Sequence, residues 1–131
     1  MAYPLADIVF NKSSLELKEY LYKNKVNINQ KTKYGNTLIM NLPNNKEGSE
    51  KMIILLNAGI YIDEVDRDGK TALFLCCMKN KIKQVEILLK YRADVNIIDY
   101  IGLNAMSYTI NEKIISMLFE AGSNYIFQII Y

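Results

Sequence analysis

Asp66-Arg67-Asp68-Gly69-Lys70-Thr71-Ala72-Leu73 decides how this chain folds, because the stretch does not stand alone. It recurs upstream as Thr32-Lys33-Tyr34-Gly35-Asn36-Thr37-Leu38-Ile39, and more loosely downstream as Asp99-Tyr100-Ile101-Gly102-Leu103-Asn104-Ala105-Met106. Gly35, Gly69 and Gly102 lie about 33 residues apart, a spacing at which self-similarity marks stacked repeats. A second landmark keeps the same phase. Leu55-Leu56-Asn57-Ala58-Gly59-Ile60-Tyr61-Ile62-Asp63 matches Leu88-Leu89-Lys90-Tyr91-Arg92-Ala93-Asp94-Val95-Asn96 and Leu118-Phe119-Glu120-Ala121-Gly122-Ser123-Asn124-Tyr125-Ile126. An earlier copy is Leu21-Tyr22-Lys23-Asn24-Lys25-Val26-Asn27-Ile28-Asn29.

Each unit reads as a helix pair preceded by a hairpin-like loop. In the best-matched unit Thr71 is placed to cap a first helix that runs to about Met78, and Asn80 and Lys81 make the turn. The second helix carries Ile82, Val85, Leu88 and Leu89 on one face and Lys83, Gln84, Glu86 and Lys90 on the other. The unit before it repeats this with Met52, Leu55 and Leu56, and offers Ser49 as a cap after the breaker run 43–48. Ser13-Ser14-Leu15-Glu16 is a capping-box pattern, and Pro4 suits the first turn of an opening helix. One such pair cannot bury both its apolar faces, so stability must come from stacking neighbouring pairs.

These landmarks resemble the ankyrin-repeat family, whose pattern is roughly D-x-x-G-x-T-P-L-H, a helix, a loop, a second helix ending in L-L, then G-A-D-V-N. The resemblance implies an all-α ankyrin-repeat solenoid of stacked helix-turn-helix pairs with hairpin-like loops. It covers nearly the whole chain as a single domain, residues 1–131, in units of about 1–31, 32–65, 66–98 and 99–126 with a tail at 127–131. Eight helices in four pairs are expected, with loops near 29–35, 63–69 and 96–102. The chain departs from the pattern in several places. Ala72 and Phe74 replace the family's Pro and His, Asn104 stands where Thr would cap, and the last unit is short between its helices. Lys25 and Arg92 stand where a helix-ending Gly is usual, which should strain those ends.

Composition narrows the chemistry. The 131 residues are 50% hydrophobic and 23% charged, ordinary for a folded domain, and the net charge of +2 is too small for a dedicated nucleic-acid binder. With no His, most zinc sites and every Ser-His or Cys-His nucleophile pair are removed. No phosphate-cradling G-x-G-x-x-G or G-x-x-x-x-G-K is present. Asp66 and Asp68 could suggest a metal or an acid pair, but Asp66 is more simply a hairpin residue bonding nearby N–H groups. Lys79, Lys81, Lys83 and Lys90 read as a solvated face interrupted by Glu86. The adjacent Cys76 and Cys77 cannot easily bridge and read as small buried side chains on a first helix, which suits a reducing compartment. Neither a secretory signal nor a membrane span is evident, so a cytoplasmic place is expected. Abundant Lys, Asn, Ile and Tyr share A- and T-rich codons, which points to an AT-rich genome, bacterial or viral.

The resemblance implies a non-catalytic protein-binding module, without cofactor, metal, nucleic acid or membrane, that uses its hairpin tips and concave face. Family positions carried onto this chain give Lys33, Tyr34, Asn36, Val65, Arg67, Asp68, Lys70, Met78, Lys79, Ile98, Tyr100, Ile101 and Leu103 as partner-binding residues, with Lys31, Asn44 and Asn45 beside them. Tyr34, Val65, Met78, Ile98, Tyr100, Ile101 and Leu103 would form an apolar patch, and such exposed patches mark interaction sites. Packing of Ile98 and Ile101 within their own hairpin or against the next unit is the alternative. The partner class stays open between a host factor engaged by a microbial or viral protein and a toxin blocked by an immunity protein. An enzyme or a nucleic-acid binder is the different-class alternative. The apolar run from Tyr125 to Tyr131 either caps the last pair or joins a partner or a second copy.

Overall fold

A computed structural model describes residues 4–122. The described residues form six α-helices and no strand: α1 (Pro4–Asn11), α2 (Ser14–Lys23), α3 (Lys46–Asn57), α4 (Ala72–Met78), α5 (Ile82–Lys90) and α6 (Glu112–Glu120). A 3₁₀ turn at Ala105–Tyr108 precedes α6. The second helices of the units, α2, α3, α5 and α6, pack on one another in succession. On the inner side, α1 packs on α2, and α4 packs on α5 and on the 3₁₀ turn. Between the two rows runs an elongated core that includes Val9, Leu17, Leu38, Met52, Leu55, Leu73, Val85, Leu88, Ile114 and Leu118. This is the all-α repeat architecture expected, stabilised from neighbour to neighbour.

Two of the eight expected helices are not α-helices. In the second unit residues 38–41 form only a turn. Pro43 supplies no N–H and disfavours helical backbone at Leu42, so a helix entered at Thr37 has barely one turn to run. Asn41 ends it with φ +66°. The carbonyls left over are taken up by the next unit: Lys81 Nζ donates to Leu42 O at 2.5 Å and Gln84 Nε2 to Pro43 O at 2.6 Å. Gln84 and Lys81 are therefore buried rather than on the solvated face expected for them. Burial pulls the Lys81 ammonium below the ordinary lysine value. In the last unit only six residues separate the Asn104 cap from Asn111, where α6 is capped, and Thr109 is already extended. The inner element there stays a 3₁₀ turn.

The caps also depart from the sequence reading. The box at Ser13 forms as expected: Ser13 Oγ accepts from Glu16 N and Glu16 Oε1 from Ser13 N, both at 3.1 Å. The Ser13 amide and hydroxyl lower the Glu16 carboxyl. α3 starts earlier than expected, capped by Asn45 Oδ1 on Gly48 N at 2.8 Å, and Ser49 lies inside it. Thr71 makes no side-chain cap. Its hydroxyl and that of Thr37 are buried without a hydrogen-bond partner among the described residues. Asn104 does cap its turn, accepting from Ser107 N at 3.2 Å. Cys76 and Cys77 are buried on α4 as free thiols, and burial pushes both up to about 12.

Helix ends divide the same way. α2 closes without a left-handed residue: Asn24 is extended and its N–H returns to Tyr20 O, so Lys25 carries no such strain. α5 does pass through one, with Arg92 at φ +66° where α3 has Gly59 at +94°. A left-handed L-residue costs about 1–2 kcal/mol, partly offset by the greater unfolded freedom of glycine. Arg92→Gly is therefore expected to raise stability by up to about 1 kcal/mol, read as a higher urea midpoint at unchanged slope. A lower midpoint would mean that the Arg92 side chain contributes more than its backbone costs.

Candidate functional site

Three hairpin turns share one design. Asp66 N bonds Lys70 O at 2.9 Å, Asp99 N bonds Leu103 O at 2.8 Å, and Thr32 N bonds Asn36 O at 2.8 Å. The side chain at the first position stiffens each turn from inside. Asp66 Oδ1 accepts from the amides of Asp68 and Lys70, and Asp99 Oδ1 from those of Ile101 and Leu103, all at 2.9–3.1 Å. Thr32 Oγ1 does the same for Tyr34 and Asn36 at a longer 3.3 Å. The fourth position needs a positive φ, +81° at Gly69, which glycine adopts without a Cβ penalty.

The tips are stacked on one another. Arg67 lies across Gly35, where an added methyl would meet its Cγ at 2.9 Å, and its Nη2 donates to Lys33 O at 2.7 Å. Tyr100 lies across Gly69 in the same way, and its N–H donates to Asp68 O at 3.1 Å. Lys31 Nζ reaches Val65 O at 2.8 Å and pairs with Glu64 at 3.6 Å. A parallel ladder joins the stretches that leave the outer helices: Tyr61 N donates to Asn29 Oδ1 and Asp94 N to Asp63 Oδ1. The tips therefore present a fixed edge rather than independent loops.

Most of the expected binding residues fall on that edge and the inner surface beside it. Lys33, Tyr34, Arg67, Asp68, Met78, Lys79, Ile98, Tyr100 and Ile101 are exposed, with Tyr34 at 64%, Tyr100 at 72% and Ile101 at 75%. Asn36, Val65 and Leu103 are half-buried, so Val65 and Leu103 contribute less to an apolar patch than their positions suggested. Asn45 is engaged as the α3 cap.

Lys70 is turned inward. Its Nζ sits 3.1 Å from Asp99 Oδ2 and 4.8 Å from the centre of the Tyr108 ring, and the Tyr108 hydroxyl donates to the same carboxylate oxygen. The Asp99 side chain has no exposed surface. Burial would raise its carboxyl, but the Tyr108 hydroxyl, the Leu103 amide, Lys70 and the Ile101 amide together hold it at about 2. Lys70 is raised against its own desolvation by Asp99 and Tyr108, and Tyr108 is raised chiefly by Asp99. The cluster locks the third hairpin to the second and to the 3₁₀ turn. Sequence reasoning placed Lys70 at the surface because it could not see Tyr108 return beneath the hairpin.

A groove was also missed. Where the second unit's inner helix shortens to a turn, a cavity of about 580 Å³ opens between α1 and the first hairpin. Buried Leu38 and Met40 floor it, and Phe10 and Tyr34 wall it. The signal was in the sequence: Pro43 stands six residues after Thr37, too close for a full inner helix.

A stack of helical units joined by hairpin turns, each packed on the next, defines a repeat solenoid. The chain belongs to the ankyrin-repeat family: the model described as Ankyrin repeats (3 copies) matches residues 5–99 and 44–128. Among curated proteins it is similar to the inactive serine/threonine-protein kinase TEX14 of Bos taurus, 36% identical over 73 residues, which is 53% of this chain and 5% of that protein. It is also similar to the putative ankyrin repeat protein L92 of Acanthamoeba polyphaga mimivirus, 35% identical over 83 residues, 63% of this chain and 20% of that protein. The chain thus spans between a twentieth and a fifth of the length of these relatives. Ankyrin repeats are in general protein-interaction modules without catalysis. No helix among the described residues is long and apolar enough to cross a membrane.

Proposed function

We propose that residues 1–131 act as one non-catalytic module that binds a protein partner along the hairpin tips and the adjoining inner surface. The observation that carries this reading is the row of exposed apolar side chains, Tyr34, Met78, Ile98, Tyr100 and Ile101, along an edge whose backbone is already fixed. A rigid edge loses little entropy on binding, and exposed aromatic and aliphatic anchors supply the contact. The reading includes an intracellular place, which the two reduced, buried thiols suit. The expectation for the apolar tail at 127–131, as cap or as self-association segment, lies outside the described residues.

The partner is to be captured from the source cell, or from its host, and identified by mass spectrometry. Tyr34→Ala and Ile101→Ala are then the informative variants, because both side chains are largely exposed and neither makes a side-chain hydrogen bond among the described residues. Each is expected to weaken binding by about 1–3 kcal/mol while the melting temperature stays within a degree or two. Unchanged affinity in both would place the partner elsewhere. Capture of nucleic acid instead, with affinity falling steeply with salt, would favour the different-class reading.

A further inference from the structure

We propose that the groove between α1 and the first hairpin receives the large apolar anchor of an acidic peptide segment of the partner. This rests on the protein-binding reading and adds where the anchor sits and what flanks it. At about 580 Å³ the groove is within the range of sites that enclose a drug-sized ligand, enough for one large side chain with neighbouring backbone. Its floor and walls are apolar, Leu38, Met40, Ala6, Phe10 and Tyr34, and Phe10 and Tyr34 remain partly open to solvent. Such a pocket suits a desolvated hydrophobic anchor.

The charge around it sets the flanks. Lys31 and Lys33 line the groove, and Asp7 is the one carboxylate among its lining residues. Asp7 already accepts from Asn11 Nδ2 at 2.8 Å. Lys31 is matched by Glu64, but Lys33 has no ion pair among the described residues and stands over the Tyr34 ring at 5.1 Å. Two further cations border the site without a carboxylate partner among the described residues: Arg67, held against the first tip by its bond to Lys33 O, and Lys79, bonded to Asn41 Oδ1 at 2.8 Å. Carboxylates on either side of the anchor would meet Lys33, Arg67 and Lys79, which gives orientation and selectivity against basic segments.

The test uses fluorescein-labelled synthetic pentapeptides and fluorescence anisotropy with the whole chain. One peptide carries tryptophan between two pairs of acidic residues; controls carry alanine at the centre, or basic flanks. A further control is the chain's own residues 123–131. The acidic tryptophan peptide is expected to bind with Kd below about 100 µM, and the alanine-centred and basic-flanked peptides at least about ten-fold more weakly. Lys33→Glu, at an exposed tip position, should remove the preference for acidic flanks while circular dichroism stays unchanged. Equal binding of acidic and basic flanks, or no binding by any peptide, overturns the proposal. Tighter binding of 123–131 also overturns it, since the occupant would then be a second copy's end. A partner that loses affinity through Ile101→Ala while no peptide binds would leave the tip edge standing and remove the groove alone.

Discussion

Gly48→Ala is expected to destabilise the protein by about 4 kcal/mol or more, a severe loss for a domain of this size. Helix propensity alone predicts the opposite sign, because alanine is favoured over glycine inside a helix by about 1 kcal/mol. The structure decides against propensity. Gly48 is buried in the first turn of α3, and a methyl there would lie 1.9 Å from Pro43 O and 2.8 Å from its carbonyl carbon. The obstacle is backbone, so no rotamer change relieves it. Moving Pro43 would break the 2.6 Å bond from Gln84 and disturb the neighbouring one from Lys81, leaving buried carbonyls unpaired at about 1–3 kcal/mol each. Urea denaturation followed by circular dichroism reads this directly. Gly59→Ala is the control: nothing lies within 4 Å of it, and only its φ of +94° opposes a side chain. It should cost about 1 kcal/mol. If Gly48→Ala costs no more than that control, the close seat of Pro43 on α3 is wrong.

The repeat order was legible because two landmarks recurred in phase, and no single motif had to carry it. Glycines at the hairpins, apolar spacing in α5 and the box at Ser13 each encode a local conformation that packing then keeps. What could not be read was whatever depended on a neighbouring unit. Gln84 looks like a surface residue by helical spacing, yet the carbonyls it serves belong to a turn about forty residues earlier in the chain. Lys81 is buried for the same reason. Thr71 sits where a cap belongs, but its hydroxyl faces the core, while Asn104, which departs from the family pattern, caps. The tip edge was half legible. Tip positions follow from the period, so Tyr34, Tyr100 and Ile101 were placed correctly as exposed, whereas Lys70 and the groove depend on Tyr108 and on a helix that stops short.

Asp99→Ala should cost about 3–5 kcal/mol, the loss seen when one partner of a buried ion pair is removed. Four donors converge on this carboxylate: the amides of Ile101 and Leu103, Lys70 Nζ and the Tyr108 hydroxyl. Truncation leaves the Lys70 ammonium over the Tyr108 ring without its counter-charge. Asp99→Asn keeps an oxygen for the two amides but loses the charge, so it should cost less and isolate the electrostatic part. That part has a pH signature. The carboxyl is held at about 2 in the folded protein, against roughly 3.9 in an unfolded chain. The unfolded state therefore takes up the proton first as pH falls. The charged carboxylate's contribution through Tyr108, the two amides and Lys70 together, on the order of 2–3 kcal/mol, is fully present above roughly pH 4 to 5 and is lost as pH drops toward 2. At the alkaline end Lys70 and Tyr108 are both raised, so the cluster holds its charges through neutral pH and beyond the ordinary lysine range. The stability difference between wild type and Asp99→Asn should thus be flat from about pH 5 to 9 and shrink on acidification. A difference that keeps its full size at pH 2 would show that the charge is not what Asp99 contributes, and that its two amide bonds alone hold the third hairpin in place.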